Sequence, residues 1–340
     1  VIPKGAVPPP HGLLAALCSA ALLAAPGCAP RAQYDYYLTG DAADVAAPTR
    51  FGLGLCGGGD DVDELFTWMG DRAAGGDFVV IRASGADGYN QYVFDFGRFN
   101  SVQTLVLKNR AASSDPFVLR TIRNAEALFI AGGDQSNYVR NWKGTSVADA
   151  IHELAARGIP IAGTSAGTAI LGEFLYSGSG QSVTSAEALA DPFTPGITLD
   201  RDFLQLPEMD GLITDQHFVE RDRLGRTLAF MARIIAGGWA AEGKAVAIDR
   251  ETAVLVDEFG RASVVARVGH ATPYAYFLRG GRPDVVAPRR PLTYREVQVD
   301  RLQPGSTFDL RNWTGTGLTS YTLSVEAGAI RSTQPGGAAY

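Results

Sequence analysis

The sequence predicts an α/β fold built on a doubly wound, mostly parallel sheet, with extra antiparallel strands toward the C-terminus. Three observations predict it. Short apolar runs alternate with amphipathic stretches of helical length through the first half of the chain, and several of those runs end in glycines. After about residue 243 the texture changes to β-rich runs paired around a tight turn. The chain has 340 residues, 46% of them apolar and 19% charged, enough to bury a substantial core.

The elements follow in order. Residues 1–28 hold one charged group, Lys4, and the apolar run GLLAALCSAALLAAP (12–26), which is too short to span a bilayer comfortably and is followed by small residues. That reads as an export signal, with simple secretion and lipidation at Cys28 as its two outcomes. The second would attach the protein to a membrane, and either gives an extracytoplasmic location. Residues 29–48 are Ala/Pro-rich and mixed polar, and read as a tether.

The hydrolytic domain is expected over 49–284. RFGLGLCGGG (50–59) is a strand closing on three glycines, and DDVDELFTWMGDRA behind it has helical spacing with acids in its first turn. FVVIRASG (78–85) and VQTLVL (102–107) are strands, DPFVLRTIRNA a helix, and EALFIAGGDQ a strand that again ends in glycines. A helix over about 146–157 leads to IPIAG, the strand before Ser165. Ligands of such sheets bind outside the strands' carboxyl ends, so GGG (57–59), GGDQ (132–135) and GTSAG (163–167) should share one rim. Two or three antiparallel strands around Asp257-Glu258-Phe259-Gly260 come next, and 285–340 reads as a β-rich extension on the same domain.

Composition excludes some functions. Thirty basic against 36 acidic residues give a net charge of −6, which is no nucleic-acid footprint and tolerates a cationic substrate more easily than an anionic one. Cys18 and Cys28 fall in the signal, so Cys56 stands alone and can form neither an internal disulfide nor a thiolate metal centre.

Chemistry is suggested first by Gly163-Thr164-Ser165-Ala166-Gly167. A serine on a sharp strand-to-helix turn needs small neighbours, and its hydroxyl then projects from the sheet edge as a nucleophile. The N–H of Ala166 can donate to an oxyanion. The bland alternative is a plain tight turn. Of four histidines, His11 lies in the signal, His152 in a predicted helix, and His270 after a strand; His217, in LITDQHFVERDRLGR, sits where a strand hands over to a helix at the same rim, which makes it the favoured general base. An esterase reading would use Ser165, Asp249 and His270, but no HGGG-type loop precedes the elbow. A catalytically silent, surface-anchored peptide-binding lipoprotein is the alternative from another class.

Taken together, GGDQ (132–135), GTSAG (163–167), TSAEALADPF (184–193), DQHFVERDRLGR (215–226) and AIDRETAVLV (247–256) resemble the cyanophycinase family of serine exopeptidases, relatives of the aspartyl dipeptidases, over roughly residues 50–275. The resemblance implies a flavodoxin-like sheet of the class I glutamine amidotransferase type, with serine where those enzymes carry cysteine. It implies Ser165 as nucleophile, His217 as base, and an orienting carboxylate some way after the serine: Glu187, with Glu173 and Asp215 as rivals. Gly133 would supply the second oxyanion N–H, and Asp134 and Gln135 would face the substrate, although an N-capping role for Asp134 is equally open. It further implies a homodimer, no metal or organic cofactor, and a peptide or cyanophycin-like polymer as substrate, cut at β-aspartyl linkages to β-Asp-Arg dipeptides. One departure stands out. The family pattern G-I-D-E-x-T-A reads Ala247-Ile248-Asp249-Arg250-Glu251-Thr252-Ala253 here, so an arginine occupies an acidic position where it would repel a substrate arginine. Thr168 likewise stands where alanine is common.

Overall fold

Strands buried on both faces read as continuous apolar runs, and four such runs lie at the centre of the molecule. A computed structural model describes residues 32–340, with Val1 and Gly5 besides; the signal expected over 1–28, including His11 and Cys28, falls outside the described residues apart from those two positions. In chain order the first half runs β1 (Tyr34–Gly40), β2 (Gly52–Cys56), α1 (Asp63–Ala73), β3 (Gly75–Arg82), α2 (Asn90–Phe94), β4 (Phe99–Leu107), α3 (Pro116–Arg123), β5 (Ala127–Ile130), α4 (Gln135–Trp142), α5 (Ser146–Ala156), β6 (Ile161–Thr164) and α6 (Ala166–Ala169). Strands β4, β3, β5, β6 and β2 are neighbours in that order and all parallel, so their carboxyl ends share one rim. Local signals set the helices. Asp115 caps α3 with Pro116 in its first turn, Thr145 caps α5, and Asp63 and Glu64 sit in the first turn of α1.

The tether expected over 29–48 is corrected in part. Residues Tyr34–Gly40 pair antiparallel with β4, from Tyr34 opposite Leu107 to Gly40 opposite Ser101, and cover what would otherwise be an open sheet edge. The strand is half-exposed, and its mixed composition concealed it.

The second half continues with β7 (Phe174–Tyr176), α7 (Ser185–Ala190), β8 (Leu199–Arg201), β9 (Leu212–Gln216), α8 (Leu224–Ala236), β10 (Gly243–Ile248), β11 (Thr252–Asp257), β12 (Arg261–Ala266) and β13 (Ala275–Gly280), then β14 (Tyr294–Leu302), β15 (Thr307–Asp309), β16 (Thr314–Thr316), β17 (Thr319–Glu326) and β18 (Ala329–Ser332). The α/β class is as expected, but the strands divide between two sheets. Strands β11, β12, β15 and β16 extend the first sheet beyond β2, whereas β9 lies parallel between β7 and β10 in an eight-stranded second sheet. Residues Asp249, Arg250 and Glu251 are therefore a crossing point: β10 belongs to one sheet and β11 to the other. Residues 285–340 contribute strands to both sheets. Among the described residues no helix is long and apolar enough to cross a membrane.

Candidate active site

Ser165 lies between β6 and α6 at φ 50°, ψ −116°, a conformation that costs a non-glycine residue free energy and persists only where the surroundings enforce it. They do so by contact. A Cβ on Gly163 would stand 2.6 Å from the carbonyl carbon of Gly167, and one on Gly167 would stand 2.0 Å from the Ile130 carbonyl oxygen, so neither glycine can be replaced without movement. Thr168, buried, accepts the Cys56 N–H at 3.0 Å and places its hydroxyl within 2.7 Å of the Cys56 carbonyl and 2.6 Å of that of Gly163. The unusual threonine thus ties the elbow to β2. Ser165 adds its own N–H, donated to the Cys56 carbonyl at 3.1 Å.

His217 follows β9 directly, also at positive φ, 49°, and donates its backbone N–H to the Gly57 carbonyl at 2.9 Å. Its Nε2 lies 2.9 Å from Ser165 Oγ, and its Nδ1 lies 2.9 Å from Glu220 Oε2. A carboxylate at Nδ1 holds the N–H there and leaves the Nε2 lone pair for the serine hydroxyl. Burial draws the imidazole pKa below its usual value, against the opposing pull of the Glu220 bond. That bond in turn holds the Glu220 carboxyl below the usual range. Gly58 closes the third side: a Cβ there would meet His217 Nε2 at 2.4 Å and Ser165 Cβ at 2.9 Å. The GGG, GGDQ and GTSAG turns do meet at one rim, since Gly132 also lies beside Ser165.

Glu187 is not at this site, and its expected role is corrected. Its carboxylate accepts the Thr184 N–H at 2.9 Å and hydroxyl at 2.8 Å in a capping box that starts α7. The rivals are occupied as well. Asp215 is buried beneath Arg226, which reaches it through Nε at 2.9 Å and Nη2 at 2.5 Å, and Glu173 accepts the Gly211 N–H. Glu220 was missed, although Glu three residues after His on a turn was a readable signal. His270 faces Glu251, and Asp249 accepts the Val219 N–H, so the Ser165, Asp249, His270 order is not assembled. His152 accepts the Gln205 N–H on the surface.

Ala166 opens α6, where a backbone N–H has no partner one turn earlier. Gly133, at φ 156°, follows Gly132 in the turn beside Ser165. Asp134 caps α4 through the Ser136 N–H at 2.9 Å, and Gln135 donates to the Tyr176 carbonyl at 3.4 Å. Both line a cleft of about 310 Å³ that starts at Gly133 and includes Tyr176, Arg223 and Arg226.

A hydroxyl on a strained turn, within reach of an imidazole whose far nitrogen is held by a carboxylate, can attack a carbonyl. On an α/β scaffold of this order, that arrangement belongs to the serine hydrolases. The chain belongs to peptidase family S51, whose model matches residues 83–255. It is similar to the cyanophycinase of Trichormus variabilis, 24% identical over 77% of this chain and 86% of that one. It is also similar to the cyanophycinase of Synechococcus elongatus, 27% identical over 73% and 70% respectively. The fold resembles the crystal structure of a peptidase from an acI-B1 actinobacterium, with a TM-score of 0.51 at 13% identity over 77% of this chain and 98% of that one.

Proposed function

We propose that the protein is an extracytoplasmic exopeptidase that hydrolyses the main-chain peptide bond next to a β-linked aspartyl residue in cyanophycin or a polymer like it, releasing β-Asp-Arg with its β-aspartyl bond intact. The observation that carries the catalytic part is the unbroken line from Ser165 Oγ through His217 to Glu220, each contact at 2.9 Å. The similar proteins named cyanophycinase support the substrate, and the export signal expected over 1–28 supports the location.

Ser165 Oγ attacks the scissile carbonyl as His217 Nε2 takes its proton, and Glu220 steadies the imidazolium. The oxyanion rests on the N–H groups of Ala166 and Gly133. His217 then protonates the leaving amine, and a water activated by the same nitrogen hydrolyses the acyl-enzyme. Asp134 and Gln135 border the cleft beside Gly133, which in this reading receives the substrate. The repulsion expected from Arg250 is offset, because its guanidinium is paired with Glu251 and faces Glu220.

The test is incubation with purified cyanophycin beside Ser165→Ala, read by mass spectrometry for β-Asp-Arg. The wild type should release dipeptide and the variant should fall by on the order of 10⁵-fold or more. Fluorophosphonate labelling of Ser165 without dipeptide would retain the hydrolase and reject the polymer.

A further inference from the structure

Three consecutive residues, from the last of β10 into the crossing between the sheets, hold three consecutive residues of the histidine turn. The Phe218 N–H donates to the Ile248 carbonyl at 3.2 Å, and the Val219 N–H donates to Asp249 Oδ1 at 3.0 Å. Arg250 Nη1 then stands 3.9 Å from Glu220 Oε1, the carboxylate oxygen that His217 does not use. The first two contacts fix the backbone of the turn. Only the third reaches the side chain that holds the imidazole.

Glu220 needs such a partner. Its side chain is 37% exposed and stands on a turn, so with one oxygen on His217 the other would be left to solvent. Arg250 is anchored for the task. Its Nη2 pairs with Glu251, whose N–H donates to the Gly58 carbonyl at 2.6 Å and whose other oxygen faces Arg267 at 3.8 Å and His270 at 3.6 Å. Gly58 is the residue pressed against Ser165 and His217, so the guanidinium is referenced to the same backbone as the reacting atoms.

We propose that Arg250 is a positioning residue, which holds the Glu220 carboxylate in the orientation that accepts the His217 N–H. The proposal rests on reading Ser165, His217 and Glu220 as the catalytic line. It gives the arginine that departs from the family pattern a part in that line.

The charges that face Glu220 are His217 and Arg221 from its own turn and Arg250 from the crossing; Arg223 also acts on His217, and Glu251, Arg267 and His270 stand behind Arg250. Removing Arg250 leaves Glu220 easier to protonate and the imidazole with a less neutralised carboxylate. Both changes move the acid limb of serine reactivity to higher pH. Removing the Glu220 charge takes away a contribution that raises the imidazole pKa, and moves the limb to lower pH.

The experiment uses the full chain and a neutral fluorophosphonate, whose labelling of Ser165 requires the serine and its base but no peptide subsite. Labelling rates are measured from pH 5 to 9 for wild type, Arg250→Gln, Arg250→Lys and Glu220→Gln. Arg250→Gln should label about threefold more slowly at pH 6.5, with its acid limb displaced upward, and Arg250→Lys should recover most of the rate. Wild-type rate and profile in Arg250→Gln overturn the proposal, and so does a slowed variant whose profile is unmoved and which lysine does not rescue. Glu220→Gln separates the two levels. If it labels like wild type, the catalytic line itself is wrong; if it is crippled while Arg250→Gln is intact, only the role of Arg250 falls.

Discussion

The two turns that meet in the site are fixed in opposite ways. The serine turn, 163–167, is held by steric exclusion: two glycines admit the Gly167 and Ile130 backbones at distances no Cβ tolerates, and Thr168 pins the result to β2. The histidine turn, 217–223, is held by polar contacts from distant parts of the chain, namely Gly57, Ile248, Asp249 and Arg250, with the Tyr340 hydroxyl on Asp222 at 2.8 Å. Yet Ser165 and His217 stand at nearly the same positive φ, 50° and 49°. The same backbone state can thus be enforced by a local residue code or by tertiary partners, and the two should fail differently.

Among changes that leave Ser165 and His217 themselves in place, the largest effect falls on the polar turn. Glu220→Gln should lower peptide hydrolysis by about 10³-fold or more while the protein stays folded, because the carboxylate that sets the imidazole tautomer is lost. Its pH–rate profile should show the acid limb at lower pH than wild type, since the Glu220 bond raises the His217 pKa. A fall of less than tenfold would place the orienting carboxylate elsewhere.

The serine turn should break through stability instead. Gly167→Ala puts a methyl 2.0 Å from the Ile130 carbonyl oxygen and should destabilise the fold by about 3 kcal/mol in urea unfolding. Near-wild-type stability would show that the elbow relaxes freely.

A smaller, pH-dependent effect belongs to Asp249. Burial pushes its carboxyl up to about 7. The folded state therefore favours the protonated form, whose stabilisation is complete below the ordinary carboxylate range and is lost as pH rises through about 7. Asp249→Asn keeps an acceptor for the Val219 N–H and cannot ionise. Its stability relative to wild type should thus improve by roughly 2 kcal/mol between pH 5 and pH 8, and thermal melts at the two pH values check it. An unchanged difference would mean that the turn is indifferent to this charge.

Least affected should be Glu187→Ala. It removes the capping box of α7, while the hydrolysis rate should stay within about twofold of wild type. A loss of 100-fold would restore Glu187 to the catalytic line.

The α/β class, the parallel core with its glycine rim, and the meeting of Ser165 with His217 at that rim are legible in the order of the residues alone. Each is set by short-range rules: apolar runs buried on both faces, small residues where backbones touch, and a histidine where a strand ends. The orienting carboxylate could not be read in the same way. Glu187, Glu173, Asp215 and Glu220 are all acids within reach in sequence, and what separates them is which partner claims each one: Thr184, Gly211, Arg226 or His217. Tertiary structure also decided that Tyr34–Gly40 closes a sheet edge, since a half-exposed strand is recognised only by the edge it covers. It alone brought Ile248–Arg250 against Phe218–Glu220, because that contact exists only where the chain crosses from one sheet to the other.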